Sequence, residues 1–244
     1  MTWDLYLFLK CAGIAVFVFV GGALVSRAFR ISRSKAYLIQ SFAVFAALAG
    51  SRLWFIIQHY FGKEAYDPSS FWNAWDNSGS VLYGWVLGGT FALVLLTRYF
   101  KLNTIRYLDI VLPLLLVCQF LNRMGCFDAG CCYGKPSAFP FPLSVYSDIG
   151  AARVYPVQLY EAIYDLLLFW YILKRPKQTG LPTFLYFVGY PAGRFFFEFL
   201  RGDNQPAAMG LTVPQITSLI LIAWAFLKLR PSVRSQTAPK TAKK

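Results

Sequence analysis

The sequence predicts an all-α integral membrane protein of about seven transmembrane helices, with the N-terminus outside, the C-terminus cytoplasmic and a polar cavity in the outer leaflet. Three observations lead there. Hydrophobic residues make up 57% of the 244 residues and charged residues only 14%, with a mean hydropathy of +0.47, outside the usual range of soluble chains. Apolar runs of spanning length recur along the chain. The cations are unevenly shared between alternate loops.

The runs lie at 5–25, 36–58, 81–99, 107–122, 156–173, 182–200 and 211–229. Each approaches the roughly 17–25 residues that a helix needs to cross the hydrocarbon, and 107–122 is the shortest. The first run lacks a basic leader and is too long for a removable signal peptide. The whole reads as one membrane domain, residues 1–230, followed by a disordered basic cytoplasmic tail, 231–244.

The net charge of +13 is distributed as a topology signal. Arg27, Arg30, Arg33 and Lys35 fill the first loop, Arg98, Lys101 and Arg106 the third, and Lys174, Arg175 and Lys177 the fifth; six more cations lie in the tail. That puts sixteen cations on one side, against five in the opposite loops: Lys63, Arg123, Lys135, Arg153 and Arg201. By the positive-inside rule the tail is cytoplasmic. A nucleic-acid partner is excluded on the same distribution, because the cations flank apolar runs. Trp72 and Trp75 in the outer loop suit a membrane interface, and a short strand is expected at Leu143 to Tyr146.

With this topology the costly polar residues fall at one depth. Arg52 lies near the outer end of the second helix, Tyr83 and Gly84 open the third, and Arg123 closes the fourth. Gln158 and Glu161 occupy the first two turns of the fifth; Arg194, Glu198 and Arg201 share a face of the sixth; Gln215 sits about a turn into the seventh. Each arginine taken singly can snorkel to the interface. Four arginines with two glutamates at a common depth point instead to a site for an anion. The planar guanidinium fork suits a phosphodiester, and a phospholipid is the anion at hand there. Gly84, Gly88 and Gly89 allow either close helix packing or approach of a headgroup to the main chain.

Cys126, Cys131 and Cys132 form a C-x4-CC cluster on the outer side, where a disulfide bracing the loop is expected. Thiol redox chemistry and a metal site are the other readings. No metal is expected, because adjacent thiols are an unusual zinc set and the lone His59 lies in another loop, where it anchors the interface. Cys11 and Cys118, within apolar runs, are expected in the core.

The blocks YGWVLGG (83–89), NRMGCFDAGCCYGKP (122–136), YPVQLYEAIYD (155–165), GRFFFEFLRGD (193–203) and VPQITSL (213–219) resemble the prolipoprotein diacylglyceryl transferase family in order and spacing. The resemblance implies a seven-helix enzyme of the bacterial plasma (inner) membrane. Such an enzyme transfers diacylglyceryl from phosphatidylglycerol to the lipobox cysteine thiol of a secreted precursor, in lipoprotein biosynthesis and without a cofactor. By position, Arg123 would contact the phosphate. Arg194, oriented by Glu198, would stabilise the leaving phosphate, and Arg201 would lie at the mouth. Glu161 and Gln158 would be part of the polar lining, and the depth of Gln215, Arg52 and the three glycines places them at the same substrate site. Tyr83 stands where the family carries a histidine and Cys126 where its signature has asparagine. Cys131 stands at the signature glutamate, and the first-helix arginine-tryptophan-tyrosine block has no counterpart near Asp4 to Ala15. Tyr83 is the third catalytic candidate beside Arg194 and Glu198, assisting only weakly because a phenol is a poor base at neutral pH. A non-catalytic or altered-acceptor lipid-binding paralogue and a membrane thiol oxidoreductase are the alternatives.

Overall fold

The computed structural model describes residues 3–61, 82–138, 145–146, 153–176, 178–202 and 210–229. Trp72, Trp75, Lys177 and the tail from residue 230 lie outside the described residues. Helix α1 (Trp3–Ala15) runs through a π-helical segment (Val16–Gly21) into α2 (Gly22–Phe29). Then come α3 (Arg33–Phe61), α4 (Leu82–Tyr99), α5 (Thr104–Asp128), α6 (Val157–Leu173), α7 (Leu181–Phe197) with a 3-10 turn (Glu198–Leu200), and α8 (Val213–Lys228). Among the described residues, Leu5–Phe29, Arg33–Ile56 and Thr104–Asp128 are long and apolar enough to cross a membrane.

α5 is the axis of the fold, touching α1, α4, α6 and α7, while α3 lies along α4 and α7 along α8. Its inward side chains Tyr107, Val111, Leu112 and Leu116 are buried beside Tyr186 of α7 and Ile39 of α3. Large apolar side chains such as Leu7, Phe45, Phe91, Trp170, Phe196 and Leu227 face outward, as burial in lipid rather than water requires.

Gly50, Gly84 and Gly88 let α3 and α4 approach backbone to backbone. A Cβ at Gly84 would lie 2.6 Å from Ser51 Cα, and one at Gly88 would lie 3.0 Å from Gly50 Cα. The packing alternative for YGWVLGG therefore accounts for Gly84 and Gly88.

The basic helix ends meet at one end of the bundle. An Arg106 Nη2 donates to Ala28 O at 3.3 Å, and Lys35 Nζ sits 4.2 Å over the Phe100 ring. There Asp109 of α5 also caps α7. Its Oδ2 accepts from Gly180 N at 2.6 Å, and its Oδ1 accepts from Thr183 N at 3.0 Å and from Thr183 Oγ1 at 2.6 Å. A carboxylate at a helix N-terminus satisfies open N–H groups and the dipole together.

Three expectations change. α5 extends to Asp128, so Arg123 and Cys126 are helical rather than part of a loop; the first left-handed glycine that ends such a helix is Gly130, at φ 64. His59 falls within α3, not in a loop. Cys11 is exposed, because α1 turns that face outward, and Cys118 is only half-buried, its Sγ donating to Gly13 O at 3.1 Å. Of the expected strand, Val145–Tyr146 is present and pairs antiparallel with Arg153–Val154, while residues 143–144 lie outside the described residues.

Candidate phosphodiester site

At the end opposite the basic loops, buried charges from three helices form one chain. Arg123 Nε of α5 lies 2.7 Å from Glu161 Oε2 of α6, and Glu161 Oε1 lies 2.5 Å from Arg194 Nη1 of α7. Arg194 Nη2 lies 2.8 Å from Glu198 Oε2, which is itself 3.9 Å from Arg201 Nε. All five residues are buried. Glu161 is the hinge of the arrangement, since one carboxylate holds two arginines from two helices. Removing charges from water is costly, and only mutual pairing makes such a cluster tolerable. The two terminal nitrogens of Arg123 carry no ion pair among the described residues.

Local structure fixes each member. Arg194 and Glu198 are four residues apart across the change from α-helix to 3-10 turn. Arg201 is then extended, and its backbone bridges Gly134, where Lys135 N donates to Leu200 O at 2.7 Å and Gly134 N donates to Tyr155 O at 2.9 Å. A Cβ at Gly134 would press on Tyr155 and on Leu200 O, so only glycine admits this three-way join. Thr212 Oγ1 donates to Glu198 Oε1 at 2.8 Å and at the same time caps α8 in a capping box with Gln215.

The other expected residues divide. Gln215 is occupied structurally, its Oε1 accepting from Thr212 N at 3.0 Å. Gln158 Nε2 donates to Cys131 O at 2.6 Å and so pins the cysteine turn. Tyr83 is buried with its Oη 2.5 Å from Ser218 Oγ. Because Ser218 gives its single proton to Pro214 O at 2.7 Å, Tyr83 is the donor in that pair. Arg52 is half-buried on α3 beside Lys10 and makes none of the ion pairs above. Gly89 lines the main cavity, which occupies about 130 Å³ among α1, α3, α4 and α5.

That cavity is largely apolar, with Lys10, Gln119 and Asn122 as its polar rim. It is lined by Asn122, the residue before Arg123, but by none of the five charged residues, which are sealed by one another. Asp165, buried one helical turn beyond Glu161, and Tyr190 border the small space between Arg123 and Arg194. Sequence reasoning passed over both, although Asp165 shares the face of Glu161 at i+4. Lys10 was also passed over; its Nζ lies 5.7 Å from the Tyr6 ring centre and 6.0 Å from that of Trp85.

The Sγ atoms of Cys126, Cys131 and Cys132 all lie within 4.8 Å of one another, and all three are free thiols. Cys132 is left-handed at φ 63, a conformation that a non-glycine residue holds only under local constraint. Thiol hydrogen bonds from Cys126 and Cys131 hold Cys132 below the usual thiol range, and Arg201 and Arg123 add to the effect. The same sharing pushes Cys131 up.

A family model described as prolipoprotein diacylglyceryl transferase matches residues 2–229. The chain belongs to this family. It is therefore a membrane protein of a transferase family. Among curated relatives it is 32% identical to phosphatidylglycerol–prolipoprotein diacylglyceryl transferase 2 of Clostridium perfringens, over 75% of this chain and 73% of that protein. The protein named phosphatidylglycerol–prolipoprotein diacylglyceryl transferase in Clostridium tetani is 34% identical over 59% of this chain and 61% of its own length, so the match spans less than two thirds of it. The protein so named in Synechococcus elongatus is 29% identical over 88% of this chain and 80% of its own. The diacylglyceryl transferase blocks quoted from the sequence carry the charge chain, the capping box and the cysteine turn.

Proposed function

We propose that this chain is a diacylglyceryl transferase that takes phosphatidylglycerol as donor and the lipobox cysteine thiol of a secreted precursor as acceptor. The observation that carries the reading is the buried chain Arg123–Glu161–Arg194–Glu198–Arg201 set against an apolar cavity. Apolar walls suit the acyl chains, and the arginines suit the phosphodiester.

In the reaction the acceptor thiolate attacks the diacylglycerol carbon that bears the phosphate oxygen. The carbon–oxygen bond breaks, and glycerol phosphate leaves with an added negative charge. Arg123 and Arg194 face that charge in a site where water is scarce, so their fields are weakly screened and already oriented. Glu161 and Glu198 keep the two guanidinium planes in place. Tyr83 acts through packing and its bond to Ser218.

The topology that fits is seven spans with the N-terminus outside, in the bacterial plasma membrane. The basic helix ends then lie in the cytoplasm and the charge chain lies beneath the outer headgroups, where phosphatidylglycerol and an exported precursor meet. The test is purified protein in vesicles of phosphatidylglycerol with a lipobox peptide. A mass increase equal to one diacylglyceryl group on the peptide cysteine is expected. Vesicles of phosphatidylethanolamine alone give none. Absence of product from phosphatidylglycerol in vesicles where an authentic enzyme is active overturns the reading.

A further inference from the structure

This inference rests on the transferase reading and addresses what that reading leaves open: which group makes the acceptor thiol a thiolate. Tyr83, in the family's histidine position, donates its proton to Ser218 and is buried among aromatic rings, 6.3 Å from the ring of Tyr190. Glu161 and Glu198 are tied to arginines. The signature asparagine and glutamate have become cysteines.

Against the expectation of no metal and no cofactor drawn from the spacing and the family blocks, we propose that Cys126, Cys131 and Cys132 form a zinc site that binds and activates the acceptor thiol; the adjacency of Cys131 and Cys132 is no obstacle, since the fold brings both sulfurs to Cys126. Three geometric facts support it. First, the Sγ atoms all lie within 4.8 Å of one another. A tetrahedral ion with Zn–S bonds near 2.3 Å needs sulfurs roughly 3.8 Å apart, so the adjustment is about 1 Å, within the reach of side-chain rotation. Second, the scaffold is built to present sulfur inward. α5 delivers Cys126, left-handed Cys132 folds its side chain back, and Gln158 holds the Cys131 carbonyl from α6. The Asn122 amide also donates to Cys126 Sγ at 3.9 Å, an outer contact of the kind that orients metal-bound thiolates. Third, the cluster adjoins the phosphodiester site, Arg123 being one turn before Cys126 on the same helix.

Three protein ligands on zinc leave one tetrahedral position for substrate. A thiol that takes it loses its proton outright. The proton passes to water, and the sulfur attacks the glycerol carbon. The S–C bond forms as the C–O bond breaks, and glycerol phosphate carries off the electron pair. The thioether product is a poor ligand and leaves. Three thiolates and Zn²⁺ sum to one negative charge, two with the acceptor, a balance that Arg123 and Arg201 complement.

The experiment uses the purified full chain, stripped of metal under reducing conditions and titrated with Co²⁺ as a spectroscopic stand-in for zinc. One Co²⁺ per chain is expected, with a sulfur-to-metal charge-transfer band. A cysteine lipobox peptide raises that band by roughly one third, as four thiolates replace three, and a peptide with serine in place of that cysteine leaves it unchanged. Cys126→Ser and Cys132→Ser abolish stoichiometric binding, and Cys11→Ser does not. Diacylglyceryl transfer from phosphatidylglycerol, measured in parallel, falls at least a hundredfold on chelation and returns with Zn²⁺. Binding that persists in the triple Cys→Ser variant, or a band indifferent to the cysteine peptide, overturns the proposal. So does a disulfide among the three in protein taken from the membrane. Transfer that survives chelation and triple substitution overturns the zinc site while leaving the transferase reading intact. Metal binding with a normal peptide response but no transfer in the unaltered chain overturns the transferase reading instead.

Discussion

Replacing Arg194 by lysine keeps the charge and removes the fork, which makes it the sharpest probe of the site. Arg194 reaches two carboxylates on different elements, Glu161 at 2.5 Å and Glu198 at 2.8 Å. A lysine ammonium is a single point on a flexible stem and satisfies one of them. Losing one charge-assisted contact among buried partners costs about 1.5–3 kcal/mol. For a domain of this size that corresponds to a drop in Tm of roughly 3–12 °C. The activity effect is separate. If Arg194 faces charge that develops on the departing phosphate, its displacement lowers kcat by about 10²–10³, as loss of one preorganised donor does. KM for phosphatidylglycerol is expected to change little, because the proposed site leaves ground-state phosphate binding to Arg123. The assay is peptide lipidation in vesicles of varied phosphatidylglycerol content, alongside thermal unfolding in detergent. A variant within threefold of the parent in kcat refutes the assignment of Arg194 to the leaving group. A large KM increase with kcat intact shows that Arg194 serves ground-state binding.

Glu161→Gln leaves Arg123 and Arg194 buried without their common anion. About 3–5 kcal/mol of stability is expected to go, more than for Arg194→Lys, as read by thermal unfolding. Asp109→Ala removes three hydrogen bonds at the far end of α7. Stability falls by roughly 1–3 kcal/mol, and transfer per folded molecule stays the same, since the cap lies away from the charge chain. Gly84→Leu forces α3 and α4 apart, and at least 1–3 kcal/mol of destabilisation is expected in the same melts, the usual cost of overpacking at about one side chain.

The amphipathic logic of the chain was legible because lipid imposes it locally. Run length gave the helices, and α6 at 157–173 and α8 at 213–228 match their apolar runs within two residues. The charged positions were legible for the same reason, since Glu161, Arg194 and Glu198 within apolar runs and Arg123 at the edge of one are too costly to be incidental. What sequence could not give was partnership. Nothing in the spacing says that Glu161 holds two arginines, that Thr212 reaches Glu198, or that Gln215 is consumed by its own helix cap. Nor does it say that Tyr83 gives its proton to Ser218, 135 residues away. Local pattern determined which residues stand near which helix end; only the packing of α5 against α6 and α7 decided which of them touch. Depth is set by each segment's transfer from water to lipid, segment by segment, whereas contact is set by how several helices share one interior.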